Sequence, residues 1–345
     1  MKTALPSFAK INLGLKIGPA RPDGFHELRT VYQTIAVHDL IRVEMQAGAG
    51  IEIRCDDERV PTDASNTCYK IAERVLNAAG ICKGVMIEID KRLPVQGGLG
   101  AASSNAIATM LGMERALGVV LDPANKVRIA AEVGSDLPLF LIGGTVLGVG
   151  RGEEVYPLPE RPRMHVVVVM PPLGVSTPRA FARWDELTAL KAALTHAGSA
   201  GTIDEFGRSV FSWLSKSFFP QASANPEWGS GSASGVPALG GDRAETPLLD
   251  LVRAGIENDF ERVVFPEYPE LRELKELLLR AGAQYASLSG SGSTLYGLFA
   301  SEVEAQAAAE RIAAAGHKAI ATTTLTREGY WKAITAASPE PRAKS

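Results

Sequence analysis

Between Val95 and Ala106 the sequence reads VQGGLGAASSNA, an uncharged run of small residues. It follows Val85–Asp90, which alternates apolar and polar positions as a strand does. It leads into Ser103–Leu117, where Ile107, Met110, Leu111 and Leu117 fall at broadly helical spacing. A segment so poor in side chain, handed from strand to helix, turns tightly and leaves its backbone N–H groups open to close approach. Two readings follow. One is a phosphate cradle, in which the helix end offers about half a positive charge and Ser103 and Ser104 offer hydroxyls. The other is a plain strand-to-helix connection with a serine N-cap. Neither G-x-x-x-x-G-K-[ST] nor a clean G-x-G-x-x-G occurs in the chain, which excludes the two common phosphate fingerprints. Spacing alone leaves both readings open.

The rest of the chain bounds the fold class. Its 345 residues suffice for two domains at roughly 100–200 residues each. Phe8–Leu15, Leu40–Met45, Ile51–Arg54, Val166–Met170 and Ala319–Thr323 read as strands, and Ala286–Phe299 as a glycine hairpin with strand arms. Asn66–Ala79, Ala124–Val133, Leu248–Phe265, Pro269–Ala281 and Glu302–Ala315 read as helices. Strands and helices mix without strict alternation, so the class is α+β rather than a doubly wound sheet. Residues 220–247 are rich in Gly, Ser, Pro and Ala and are expected to form a mobile insertion, and residues 336–345 a disordered tail.

Composition removes several function classes. With 36 basic against 39 acidic side chains, the chain lacks the positive balance of a general nucleic-acid binder. No apolar run approaches the ~18 residues that span a bilayer, and Met1–Pro6 does not open as a signal peptide. The three cysteines have no metal-type spacing, which fits a reduced, cytoplasmic setting. The five histidines are scattered, so no His-bound metal is expected.

Five features could carry chemistry. The first is the glycine loop. Lys10 lies in an apolar strand with Asn12 on the same face, and is either a snorkelling edge residue or a cation set in a site. Asp136, in Gly134-Ser135-Asp136-Leu137-Pro138, either caps the next short helix or stands as a general base at an apolar wall. His26 follows Phe25 in a Pro-Asp-Gly turn, a position that is often mere surface. Ser289–Ser293 is flexible turn chemistry or a second backbone cradle.

Taken together and in order, these segments resemble the GHMP kinase superfamily. The likeness rests on Ala9-Lys10-Ile11-Asn12-Leu13, on Arg21-Pro22-Asp23-Gly24-Phe25-His26-Glu27-Leu28, and on Lys91-Arg92-Leu93-Pro94. It continues through Gly97-Gly98-Leu99-Gly100, Ser103-Ser104-Asn105-Ala106, Gly134–Pro138, Glu257–Glu261 and Ser289–Gly292. It is closest to the branch acting on a cytidine-diphosphate-linked sugar alcohol of the non-mevalonate isoprenoid route. The resemblance implies two α+β domains, expected at 1–160 and 161–335, with the active site in the cleft between them. The first would be of the ribosomal protein S5 domain 2 type.

By the same resemblance, ATP is the co-substrate, Mg²⁺ arrives with the nucleotide, and no residue is a dedicated metal ligand. Asn66, Lys91, Pro94, Gly97, Gly98, Leu99, Gly100, Ala101, Ala102, Ser103, Ser104 and Asn105 would bind ATP. Asp136 would deprotonate the substrate hydroxyl and Lys10 would hold it. Asn12, Phe25, His26, Thr177 and Phe181 would form the substrate side, with His26 reading a cytosine edge and the two phenylalanines stacking on its faces. The implied partner is a small molecule, with neither nucleic acid nor membrane, and the implied state a monomer or weak homodimer. The sequence departs from the family at Ala101 and Ala102, where glycines are usual, and at Phe25, where tyrosine is common. Kinases of homoserine or mevalonate type, and an inactive nucleotide-binding homologue, are the alternatives.

Overall fold

In the computed structural model, residues 2–160, 162–195 and 257–336 are described. The expected 220–247 insertion lies outside them, as does the tail beyond Ala336. Two sheets dominate. β1 (Lys2–Ala20) and β2 (His26–Gln46) form a long antiparallel pair, and the first sheet runs β3-β4-β2-β5-β6 with β1 on β2. β3 is Gly50–Cys55, β4 Gly84–Asp90, β5 Thr145–Val149 and β6 Glu154–Pro157. The second sheet is β7 (His165–Val169), β8 (Tyr285–Leu288), β9 (Leu295–Phe299) and β10 (Ala319–Thr323), in the order β10-β7-β9-β8.

Helices α1 (Thr67–Ala79), α2 (Ala101–Leu117) and α3 (Pro123–Val133) bury apolar faces against the first sheet. Helices α4 (Thr177–Thr195), α5 (Glu261–Glu267), α6 (Pro269–Arg280) and α7 (Glu302–Ala314) serve the second. The final helix, α8 (Arg327–Ala336), was not expected. It returns to the first core, where Tyr330 and Ile334 are buried and the Tyr330 hydroxyl donates to Phe140 O at 2.7 Å. Thus the range 161–335 does not define one packing unit, and Ala336 ends a helix rather than beginning a tail.

β1 is longer than its alternation predicts because irregularities reset its register, two of them in the stretch that changes cores. Register shifts fall between Phe8 and Ala9 and between Asn12 and Gly14. A bulge turns the following side chains toward a different neighbour. Leu5 and Phe8 therefore enter the first core, Ala9, Ile11 and Leu13 a cluster between the sheets, and Leu15 and Ile17 the second core. Val166 and Val168 fill the middle cluster while Val167 and Val169 fill the second core, which explains the unbroken apolar run of β7. The expected helix at Leu248–Phe265 is corrected where it is described. Asn258 bridges to Leu15, and the helix begins only at Glu261.

Candidate active site

The glycine loop joins β4 to α2, and the helix starts two residues earlier than its apolar spacing suggests. The serine N-cap reading is corrected: the cap is Gly100, left-handed at φ 67°, with no side-chain bond to the first turn. The first turn of this 17-residue helix thus takes no side-chain acceptor from its cap. Gly98 has φ 74°, and a Cβ there would stand 1.9 Å from Ser289 O. Only glycine allows the hairpin 289–293 to close on the loop, where Ser289 Oγ donates to Gly98 O at 2.9 Å.

Asn66, Lys91, Pro94, every residue from Gly97 to Ser103, and Asn105 line one cavity of about 330 Å³. Ser104 does not. Consecutive helix positions point about 100° apart, so while Ser103 faces the cavity, Ser104 is buried with its Oγ 2.8 Å from Ser7 Oγ. Asn66 has its amide committed locally, accepting from Cys68 N as the α1 N-cap and donating to Pro61 O. Lys91 and Asn105 converge on Asp39, a fully buried carboxylate that the sequence reading passed over. Asp39 accepts from Lys91 Nζ, Arg92 N and Leu93 N at 2.7 Å, and from Asn105 Nδ2 at 3.0 Å. Four donors satisfy the buried charge and tie the entry of the loop to α2. The available signal was a single acid within the largely apolar stretch Ile35–Ile41.

A second cavity of about 280 Å³ shares Gly98 and Gly100 with the first, and Lys10, Asn12, Phe25, His26, Asp136, Thr177 and Phe181 all line it. Lys10 Nζ donates to Asn12 Oδ1 at 2.7 Å and lies 3.5 Å from Asp136 Oδ2. Asn12 Nδ2 in turn donates to Thr30 Oγ1, which donates to Gly14 O. Asp136 is not the cap of the following turn, whose N-cap is Leu137. It accepts instead from the hydroxyl of Tyr32 at 3.0 Å. Burial pushes the Lys10 ammonium below its ordinary value, opposed by the charge of Asp136. Burial and then that same carboxylate push the Tyr32 hydroxyl well up, so it stays a donor. Tyr32 gave no signal, for it lies outside every strand expected from the sequence and within β2.

Phe181 lies parallel to His26, ring centroids 4.9 Å apart at 12°, and edge-on to Phe260. Phe25 is half exposed, with the Arg151 guanidinium 4.8 Å from its ring. Phe181, on α4, thus lies against the imidazole, while the Phe25 ring carries the Arg151 guanidinium. Thr177 Oγ1 lies 2.7 Å from Ser291 Oγ, linking α4 to the hairpin. Among the described residues no group of three or more His, Cys, Asp or Glu could hold a metal ion.

Residues 66–144 match the family model "GHMP kinases N terminal domain" and residues 244–318 match "GHMP kinases C terminal". A 4-diphosphocytidyl-2-C-methyl-D-erythritol kinase of Solibacter usitatus is 35% identical over 295 residues, covering 86% of this chain and 80% of its own length. A protein of the same name from Heliobacterium modesticaldum is 34% identical, covering 93% of this chain and 95% of its own. The chain belongs to the GHMP kinase family. A solved 4-(cytidine 5'-diphospho)-2C-methyl-D-erythritol kinase superposes with TM-score 0.64 at 27% identity, over 94% of this chain and 99% of that one. A homoserine kinase from Cytophaga hutchinsonii superposes at 0.68 with 19% identity, over 94% and 95% of the two chains, which shows a shared fold. This GHMP kinase is accordingly an ATP-dependent enzyme that phosphorylates an alcohol.

Proposed function

We propose that this GHMP kinase transfers the γ-phosphoryl group of ATP to the 2-hydroxyl of 4-diphosphocytidyl-2-C-methyl-D-erythritol. The observation that carries the proposal is the abutment of two cavities. One is lined by the uncapped start of α2, the other by the Lys10–Asp136 pair at 3.5 Å, and Gly98 and Gly100 belong to both. The named relatives at 35% and 34% identity supply the substrate. His26, Phe25 and Phe181 in the second cavity supply a surface suited to a pyrimidine.

Phosphoryl transfer asks mainly for positioning and charge stabilisation. The loop N–H groups and the α2 N-terminus suit the triphosphate, because glycine at 98 and 100 allows close backbone approach. A magnesium ion would be carried by the triphosphate, whose charge it neutralises. Asp136, oriented by Tyr32, takes the proton of the attacking hydroxyl. Lys10, held by Asn12, orients that hydroxyl and steadies the charge that develops on its oxygen.

The test is ADP release measured with the purified chain and the cytidine-linked methylerythritol, homoserine or mevalonate in turn. Turnover with the first alone, inhibited by CDP, is the expected result. Turnover with either of the others and none with the first overturns the substrate assignment.

A further inference from the structure

Helix α4 sets Thr177, Phe181 and Asp185 four residues apart, hence along one face. All three meet the cleft wall. Thr177 bonds Ser291, Phe181 stacks on His26, and Asp185 Oδ1 lies 2.7 Å from His26 Nε2. The imidazole is 7% exposed, while the Asp185 side chain is 54% exposed. Asp185 thus stands in solvent behind the ring and does not line the cavity that the ring lines.

The geometry points to Asp185 as a positioning residue that fixes the tautomer of His26 and so selects an amino-bearing over an oxo-bearing pyrimidine. An ionised carboxylate can only accept, so the proton of a neutral His26 resides on Nε2 and Nδ1 becomes the acceptor. The parallel Phe181 ring restrains the imidazole from turning over. A pyrimidine with an exocyclic amine offers the donor that Nδ1 needs. One with an oxo group in that place offers a second acceptor, and the two lone pairs oppose. A contact to so exposed a carboxylate contributes little to stability as such. Its effect on which nitrogen carries the proton is a separate property, and a merely structural contact would not alter it.

The inference rests on the reading of the second cavity as a cytidine site, and the experiment separates the two. Long-range ¹H–¹⁵N correlations of the full chain, recorded over a pH series and read in the spectra of the neutral ring, report the tautomer, with His26→Gln assigning the signal. Wild type is expected to carry the proton on Nε2, Asp185→Ala to give a mixture, and Asp185→Glu to restore the single form. In parallel, inhibition by CDP and UDP is compared. Asp185→Ala is expected to lose roughly ten-fold of the CDP-over-UDP preference, the worth of about one hydrogen bond, with kcat at saturating substrate within about two-fold. An unchanged tautomer, or an unchanged preference where wild type has one, overturns the inference. Should neither nucleotide inhibit wild type, the cytidine reading and the selectivity it supports both fall, and the tautomer signal alone decides whether Asp185 holds His26.

Discussion

Lys10 and Asp136 form a charged pair of unequal exposure, with side chains 4% and 34% accessible. The buried partner is the one whose charge is costly, and its pKa is lowered for that reason. Below the lowered value, folded and unfolded chains both hold the Lys10 proton, and the group adds no slope to stability. Between it and 10.5 the unfolded chain binds the proton more tightly, so stability from this group rises with pH there. On the role proposed for Lys10, activity runs the other way, because the ammonium is lost through the same window. The alkaline limb of kcat/KM, which reports the free enzyme, is therefore expected below the ordinary lysine value; a limb at or above 10.5 would contradict it. Asp136→Asn keeps the shape of the side chain and removes its basicity, so kcat is expected to fall by about 10²–10⁴-fold while the chain stays folded. Lys10→Ala should lower kcat comparably. Near wild-type turnover in both variants would refute their roles.

At the scale of elements, Glu257–Glu261 clamps the pieces that build the cleft. Asn258 Nδ2 donates to Leu288 O and Gly290 O, both at 2.8 Å, while its own Oδ1 accepts from Phe260 N. Asp259 holds β1 through Lys16 Nζ and Ile17 N, and Glu261 holds β8 through Ser287 Oγ and Leu288 N. The hairpin so fixed is the one that closes on Gly98. Asn258→Ala leaves two buried carbonyls short of a donor, at a cost of about 1–3 kcal/mol each. Both a lower denaturation midpoint and weaker ATP binding by calorimetry are expected. Unchanged ATP affinity in a destabilised variant would mean that the hairpin does not support the loop. Little of this clamp was legible beforehand, since Asn258 and Asp259 fell within an expected helix. What could be read was local. The alternation of β3 and β4, the glycine turn between Leu288 and Leu295, and the small residues before α2 each announce their own geometry. Asp39, Tyr32 and Asp185 act across 52, 104 and 159 positions of chain, on Lys91, Asp136 and His26, and no local pattern announces such partners.

For the molecule as a whole, the chain crosses between the two cores more than once, and two of the crossings carry a hydrogen bond to the other part of the fold. β1 enters the first core at Leu5 and the second at Leu15, where Leu15 N donates to Glu257 O at 2.9 Å. After β10 the chain returns through Leu325 N, which donates to Thr34 O at 2.8 Å, and ends in α8 on the first core. A middle cluster of Ala9, Ile11, Leu13, Val166, Val168 and Tyr296 fills the space between the sheets. Opening either core would expose that cluster, so the two cores are expected to unfold together. Trp184 reports the second core and Trp331 packs on the first. With Trp213 and Trp228, outside the described residues, replaced by Phe, each remaining tryptophan can be followed alone after replacing the other. Coincident midpoints are expected. A non-hydrolysable ATP analogue at 100 times its Kd should raise both by the same amount, equivalent to about 2.7 kcal/mol. A shift confined to the Trp331 signal would mean that nucleotide binding is felt by the first core alone. The cleft would then be a contact between two independent folds rather than a site that both cores hold in common.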